Sequence, residues 1–63
     1  MTAKQIREMI KAVTGNTVSV RTILAKAQSL PHIVASDGAY IFRSAEIESI
    51  LIALGYDPQS FYS

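Results

Sequence analysis

The sequence contains no cysteine and no tryptophan, and it has only two prolines and three glycines. Without cysteine, the chain cannot be a disulfide-stapled scaffold or hold a cysteine-based metal site. No apolar run approaches the roughly 20 residues that a membrane-spanning helix needs, and no signal-peptide pattern opens the chain. We therefore expect a cytoplasmic protein.

Residues suited to catalysis are also scarce. The single histidine, His32, stands beside a proline, with no second histidine or cysteine at metal-ligand spacing. It could contact a phosphate or a metal, but we interpret it as an ordinary surface residue. No glycine-rich phosphate loop and no nucleophile motif is present. The sequence predicts no enzyme, no cofactor and no metal site.

The composition indicates one small folded domain whose charges are distributed unevenly. Hydrophobic residues make up 49% of the 63 residues, and the formal net charge is +1. Six cations and two carboxylates fall in residues 1–43, whereas residues 44–63 contain three carboxylates and no cation. This asymmetry favours a basic binding face opposite an acidic side, and the alternative is ordinary scatter.

The first predicted helix begins at the N-cap Thr2 and ends near Val13, because apolar residues recur at helical spacing between them. Lys4, Arg7 and Lys11 stand at i, i+3 and i+7, on another face of the same helix. Such a basic stripe suits contacts with phosphates, although a solvated outer face would look the same.

The second predicted helix covers residues 20–29. Gly15 breaks the first helix, and Ser19 is a favoured N-cap residue. Leu30 precedes a proline and so resists the helical region. Residues 17–21 also alternate and are β-branched, which leaves a short strand as the alternative.

The central segment predicts a β-hairpin. Asp37 and Gly38 lie between two β-prone apolar runs, which is typical of a two-residue type I′ turn with positive φ at both positions. Strand alternation then points Val34 and Ile41 to one face. The opposite, inward face would carry Ile33, Ala35, Tyr40 and Phe42.

A third helix follows the hairpin, with Ser44 as the predicted N-cap and Gly55 in the left-handed position after its last turn. The apolar residues of this helix fall on one face at i, i+3, i+4 and i+7. The predicted core consists of Ile6, Ile10, Val13, Ile23, Leu24, Ile33, Phe42, Ile47, Ile50, Leu51 and Leu54. The predicted class is therefore α+β and mainly α, with a domain over residues 1–56 and a short tail over residues 57–63.

Two helices joined by a break, then a hairpin, then a helix resemble the winged helix-turn-helix. More narrowly, the chain resembles the small DNA-binding proteins of the MerR-type and phage excisionase-like group. The resemblance spans residues 2–56 and is carried by residues 2–6, 18–23, 30–31, 37–42 and 44–47. In that group the second helix enters the major groove and the hairpin wing touches the backbone or the minor groove.

The resemblance implies a small sequence-specific or architectural protein that binds double-stranded DNA. It would be a regulator of transcription or an excisionase-like recombination factor of a phage, plasmid or mobile element, and would lie with the nucleoid. Arg21, Thr22 and Lys26 would lie on the face of the second helix that reads DNA, whereas Arg43 and the stripe on the first helix would hold phosphates. The predicted DNA-binding residues are Lys4, Arg7, Lys11, Ser19, Arg21, Thr22, Lys26 and Arg43.

Two further expectations concern partners. The alternative function is a protein-interaction module on the same scaffold, such as an adaptor, antitoxin or inhibitor, with no enzymatic activity. We also expect self-association, as a dimer or along DNA, because one small module buries little DNA surface. The residues available for it are Phe61 and Tyr62 in the tail, or Val34 and Ile41 on the hairpin. No membrane or small-molecule partner is expected.

Overall fold

The computed structural model describes residues 1–62, and these residues form three α-helices and one short 3-10 helix. Helix α1 spans Ala3–Thr14, α2 spans Val20–Ser29, α3 spans Ser44–Ala53, and the 3-10 helix spans Pro58–Phe61. None of these 62 residues belongs to a strand. The predicted α+β class and the winged helix-turn-helix architecture are therefore wrong, because the described fold is all-helical.

Helix α1 begins and ends close to its predicted bounds. The Thr2 hydroxyl accepts the Gln5 N–H at 3.4 Å, and the Gln5 side chain accepts the Thr2 N–H at 2.8 Å, which forms a capping box. At the other end Gly15 has φ 78°, and its N–H donates to the Lys11 carbonyl at 2.9 Å. Glycine suits this left-handed position because it has no Cβ.

Helix α2 has the predicted bounds. Ser19 is its N-cap, and the Ser19 hydroxyl accepts the Thr22 N–H at 3.2 Å. Leu30 is the C-cap in an extended conformation, as a residue before proline should be. The alternative strand over residues 17–21 is not observed, since Val20 and Arg21 already belong to the helix.

Helix α3 begins one residue earlier than predicted. Arg43, not Ser44, is the N-cap, and its N–H donates to the Glu46 carboxylate at 2.9 Å. The glutamate three residues on thus ties the helix start to the backbone, so a serine hydroxyl is not needed there.

The end of α3 confirms the predicted role of Gly55, which has φ 90°. The Gly55 N–H donates to the Ile52 carbonyl at 3.0 Å and the Tyr56 N–H to the Leu51 carbonyl at 2.9 Å. These two bonds form a Schellman motif, which satisfies carbonyls that the helix would otherwise leave unpaired.

The predicted hairpin is not formed, and its turn differs from the predicted one. The Asp37 carboxylate accepts the Ala39 N–H at 2.9 Å, and the Tyr40 N–H donates to the Asp37 carbonyl at 3.3 Å. The turn is therefore centred on Gly38 and Ala39, one residue later than a type I′ hairpin requires. Among the described glycines, Gly38 is the one without positive φ. The Asp37 side chain bonds its own local backbone, which competes with strand pairing.

The backbone groups that the hairpin needed also pair elsewhere. The Phe42 N–H donates to the Met1 carbonyl at 2.6 Å, and the Met1 nitrogen donates to the Phe42 carbonyl at 3.1 Å. Ile33, the predicted strand partner of Phe42, donates its N–H to the Leu30 carbonyl at 3.1 Å instead. Residues 31–43 therefore form a loop between α2 and α3.

One core joins all the helices to this loop. Leu24 and Leu54 pack against it in partly buried positions. Val13 was predicted to lie in the core but is 47% exposed, because it lies at the end of α1 and beside the buried stripe. The buried residues are Ala3, Ile6, Ile10, Ile23, Ala27, Ile33, Ala35, Phe42, Ile47, Ile50 and Leu51.

The loop keeps the predicted alternation of its side chains although it is not a hairpin. Ile33, Ala35 and Phe42 are buried and Tyr40 is half-buried, whereas Val34 and Ile41 are 80% and 71% exposed. Alternation requires an extended backbone, but it does not require a paired strand.

The 3-10 helix occupies most of the predicted tail and packs against α1 and α3. Asp57 caps it by accepting the Gln59 N–H at 3.0 Å, and Phe61 stacks edge-on against Tyr56 with ring centres 6.0 Å apart. Ser63, the last residue of the predicted tail, lies outside the described residues. None of the described helices has both the length and the apolar character needed to cross a membrane.

Candidate nucleic-acid interface

Three cations lie along one side of α1. Lys4 and Lys11 are exposed and Arg7 is half-buried. With about 100° of rotation per residue, the three positions fall within about 60° of one another around the helix axis. The buried side of the helix carries Ala3, Ile6 and Ile10. The predicted basic stripe therefore exists, and it is called the α1 stripe below.

A single carboxylate partly neutralises the α1 stripe. The Arg7 guanidinium donates to the Glu8 carboxylate at 2.9 Å, which is the one ion pair in residues 1–62. This hydrogen bond, followed by the charge of Arg7, lowers the pKa of Glu8, and the charges of Lys11 and Lys4 act in the same direction. The stripe keeps a net positive charge, because Lys4 and Lys11 have no ion-pair partner in the described chain.

The exposed side of α2 has small side chains at its centre and cations at its edges. Arg21 and Lys26 are both exposed, and they lie about 140° apart around the helix axis. Ala25, Ser29 and Thr22 fall between them and are exposed as well. Arg21 and Lys26 thus do not form one cluster but flank a strip of small side chains.

Two predicted contact residues, Ser19 and Thr22, are bonded to each other. Their hydroxyl oxygens lie 2.9 Å apart, and Ser19 Oγ also accepts the Thr22 N–H at 3.2 Å. Both hydroxyls therefore belong to the cap of α2. The pair keeps one hydroxyl hydrogen that is not used between them.

Arg43 belongs to neither helix that carries the other cations; it caps α3, next to a carboxylate. Glu46 accepts the Arg43 N–H at 2.9 Å and the Tyr40 hydroxyl at 2.8 Å. These two bonds lower the pKa of Glu46, with the Arg43 N–H as the larger cause, and the charges of Arg43 and His32 add to the effect. The hydrogen bond from the Tyr40 hydroxyl to Glu46 also raises the pKa of Tyr40.

A contact between His32 and Ser49 was not predicted from the sequence. His32 Nε2 lies 3.1 Å from Ser49 Oγ, and the Ser49 hydroxyl donates to the Ala45 carbonyl at 3.1 Å. When the one hydroxyl hydrogen of Ser49 is on the Ala45 carbonyl, His32 Nε2 is the donor, and the direction depends on the His32 tautomer. No sequence signal joins these residues, which are 17 positions apart.

The structure thus groups the predicted contact residues in three places: the α1 stripe, the exposed side of α2, and the start of α3. The helices that carry the first two, α1 and α2, pack against each other. The part of the chain that the structure describes contains no group of three metal-ligating side chains. Comparison with protein-family models, with curated proteins and with solved structures found no match to this chain.

Proposed function

We propose that the protein binds double-stranded DNA through the exposed sides of α1 and α2. The observation that carries this proposal is the charge on the two helices. Five of the six cations lie on α1 and α2, whereas Glu8 is the single carboxylate there. Neutralising phosphates with lysine and arginine releases counterions, which is the main source of affinity in non-specific DNA binding. The other carboxylates are Asp37, Glu46, Glu48 and Asp57.

The shape of α2 supports its role as the helix that enters the major groove. Ten residues make a helix about 15 Å long, and the groove is about 12 Å wide, which admits one helix. The small residues at the centre of the exposed side allow a close approach to the base pairs. Arg21 and Lys26, at the edges, would then reach base edges or the flanking phosphates, and the α1 stripe would hold further phosphates.

A salt series tests this proposal. Affinity for a fluorescent duplex of random sequence is measured by anisotropy over a range of salt concentrations. Each phosphate contact should contribute about −0.9 to the slope of log K against log salt. Affinity that does not depend on salt, or no affinity for any duplex, would overturn the proposal.

A matched pair of charge variants locates the surface. Lys11→Gln should weaken binding to all duplexes and reduce the slope by about one. Arg43→Gln removes the same charge beside Glu46 and should have a smaller effect. Equal effects of the two variants would mean that the net charge matters and not the α1 stripe.

A second candidate function is a protein-interaction module. The observation that favours it is the pair Val34 and Ile41, which are 80% and 71% exposed on the loop. Large apolar side chains that are this exposed can serve as contact residues for a partner. The salt series separates the two candidates, because an interaction module has no reason to bind duplex DNA in a salt-dependent manner.

A further inference from the structure

We propose that α2 recognises the methyl groups of thymine, through the Thr22 methyl group and the Ala25 side chain. This inference rests on the proposed DNA binding and names the bases that the same surface reads. It follows from the side-chain atoms that the exposed side of α2 makes available for contact with a base.

The hydroxyl groups on this side of α2 are already bonded within the protein. Thr22 Oγ1 lies 2.9 Å from Ser19 Oγ in the helix cap. The Ser29 hydroxyl donates its hydrogen to the Lys26 carbonyl at 2.7 Å. These bonds fix the position of both hydroxyls, while Ser29 Oγ can still accept a hydrogen bond and the Ser19–Thr22 pair keeps one hydrogen. With Thr22 Oγ1 held at Ser19, the Thr22 methyl group and the Ala25 Cβ are the carbon groups that the centre of the exposed side offers.

The methyl groups of Thr22 and Ala25 are the carbon groups that a base would meet there. Both residues are exposed, and positions i and i+3 on a helix surface are neighbours with Cβ atoms about 5–6 Å apart. Successive bases of one strand are spaced by about 3.4 Å along the DNA axis. The two methyl groups therefore match bases one or two steps apart.

Thymine is the base with an apolar group in the major groove, its C5 methyl, and alanine and the threonine methyl are suitable partners for it. Arg21 lies about 40° from Ala25 around the helix axis. Arginine is a suitable partner for guanine, so Arg21 could contact a guanine next to the thymines. The predicted site is a short thymine-containing sequence with guanine at its border.

The test begins with sites that the wild-type protein enriches from a random duplex library. Each thymine of an enriched site is then replaced by deoxyuridine, which lacks only the C5 methyl group. Loss of one methyl contact should weaken binding by about fourfold, which corresponds to about 0.8 kcal/mol. At one or two positions this loss is expected, and elsewhere the replacement should have no effect.

Thr22→Ser is the decisive variant, because it removes the methyl group and keeps the hydroxyl that bonds Ser19. It should lose about fourfold in affinity for the thymine site and become indifferent to uracil at the contacted position. Ala25→Gly should act in the same way at the neighbouring base. Ala12→Gly is its control, since it weakens a helix equally but lies off the exposed side of α2 and about 80–100° from Lys4 and Lys11 around the axis of α1.

The possible results separate the two proposals. Salt-dependent binding that ignores the replacement of thymine by uracil, or that keeps its full thymine preference in Thr22→Ser, overturns this inference and leaves the proposed DNA binding intact. Absence of any salt-dependent binding overturns both.

Discussion

The Tyr40 hydroxyl donates to Glu46 Oε2 at 2.8 Å and so fastens the loop before α3 to the first turn of that helix. The other carboxylate oxygen of Glu46 accepts the Arg43 N–H at 2.9 Å. One ionised side chain thus holds the helix cap and the loop together. The contact depends on the ionisation of Glu46, which makes it sensitive to acid.

The first prediction concerns pH. The folded state lowers the pKa of Glu46 below its ordinary value of 4.5. Its contribution to stability is therefore present above that value and is lost as the pH falls through the lowered, folded-state pKa. Glu46→Gln should make the free energy of unfolding depend less on pH in this acidic range, as measured by urea denaturation at a series of pH values.

Tyr40→Phe provides the control for this prediction. It removes one hydrogen bond to Glu46 and keeps the larger cause of the shift, the Arg43 N–H. The pKa of Glu46, followed by NMR, should rise in this variant but stay below 4.5. A pKa that does not move would show that Tyr40 does not bond the carboxylate in solution.

The second prediction compares two glycines. A Cβ added at Gly55 or at Gly38 would have no heavy atom within 4 Å, so the two sites differ mainly in backbone conformation. Gly55→Ala should cost about 1–2 kcal/mol of unfolding free energy, because φ is 90° there. Gly38→Ala should be neutral or stabilising by about 0.4–1 kcal/mol. Equal losses, measured by chemical denaturation, would favour the left-handed hairpin turn that the structure lacks.

The third prediction compares neighbouring residues of α3. Leu51 is completely buried, whereas Ile52 is 63% exposed. Leu51→Ala should lower the free energy of unfolding by about 2–5 kcal/mol, because it leaves a cavity among packed side chains. Ile52→Ala should change it by about 0.5 kcal/mol or less. A reversed order would place the other face of α3 against the core.

The fourth prediction concerns self-association on DNA. The longest dimension of the fold is 28 Å, which is less than the roughly 34 Å of one turn of B-DNA. A single copy would therefore cover less than one turn, and we expect copies to bind in pairs or in rows. Sedimentation with and without a long duplex should show association, and strictly independent binding of monomers would contradict it.

Two variants distinguish the contact surface. Val34→Ser combined with Ile41→Ser should weaken the association if the loop is the contact. Truncation after Pro58 should weaken the association if the tail is the contact. This truncation also removes Phe61, which packs on the core. The double serine variant alters exposed positions and should leave the fold intact.

Local signals were sufficient to predict the first two helices. Ser19 and the glycine at position 15 act through bonds to residues no more than four positions away, and such bonds can be inferred from the sequence. The alternating burial of the loop was also predictable, because it follows from the alternation of apolar side chains along an extended backbone. The grouping of Lys4, Arg7 and Lys11 followed from helical spacing.

Long-range pairing was not predictable. The Asp37-Gly38 pair favours a hairpin locally. The backbone groups of Phe42 instead bond Met1, which is 41 positions away at the start of the sequence. The contact between the Ser19 and Thr22 hydroxyls was also not predicted, although Ser19 was predicted as the N-cap of α2.

The pairing of Met1 with Phe42 gives the loop an unusual dependence on the rest of the fold. These two bonds join the residue before the cap of α1 to the residue before the cap of α3, so they form only when both helices have docked. A synthetic peptide of residues 30–43 would lack both anchors. We expect the loop to form late in folding, because joining distant residues costs chain entropy that the assembled helices offset. The conformation of the loop therefore indicates whether α1 and α3 are both in place.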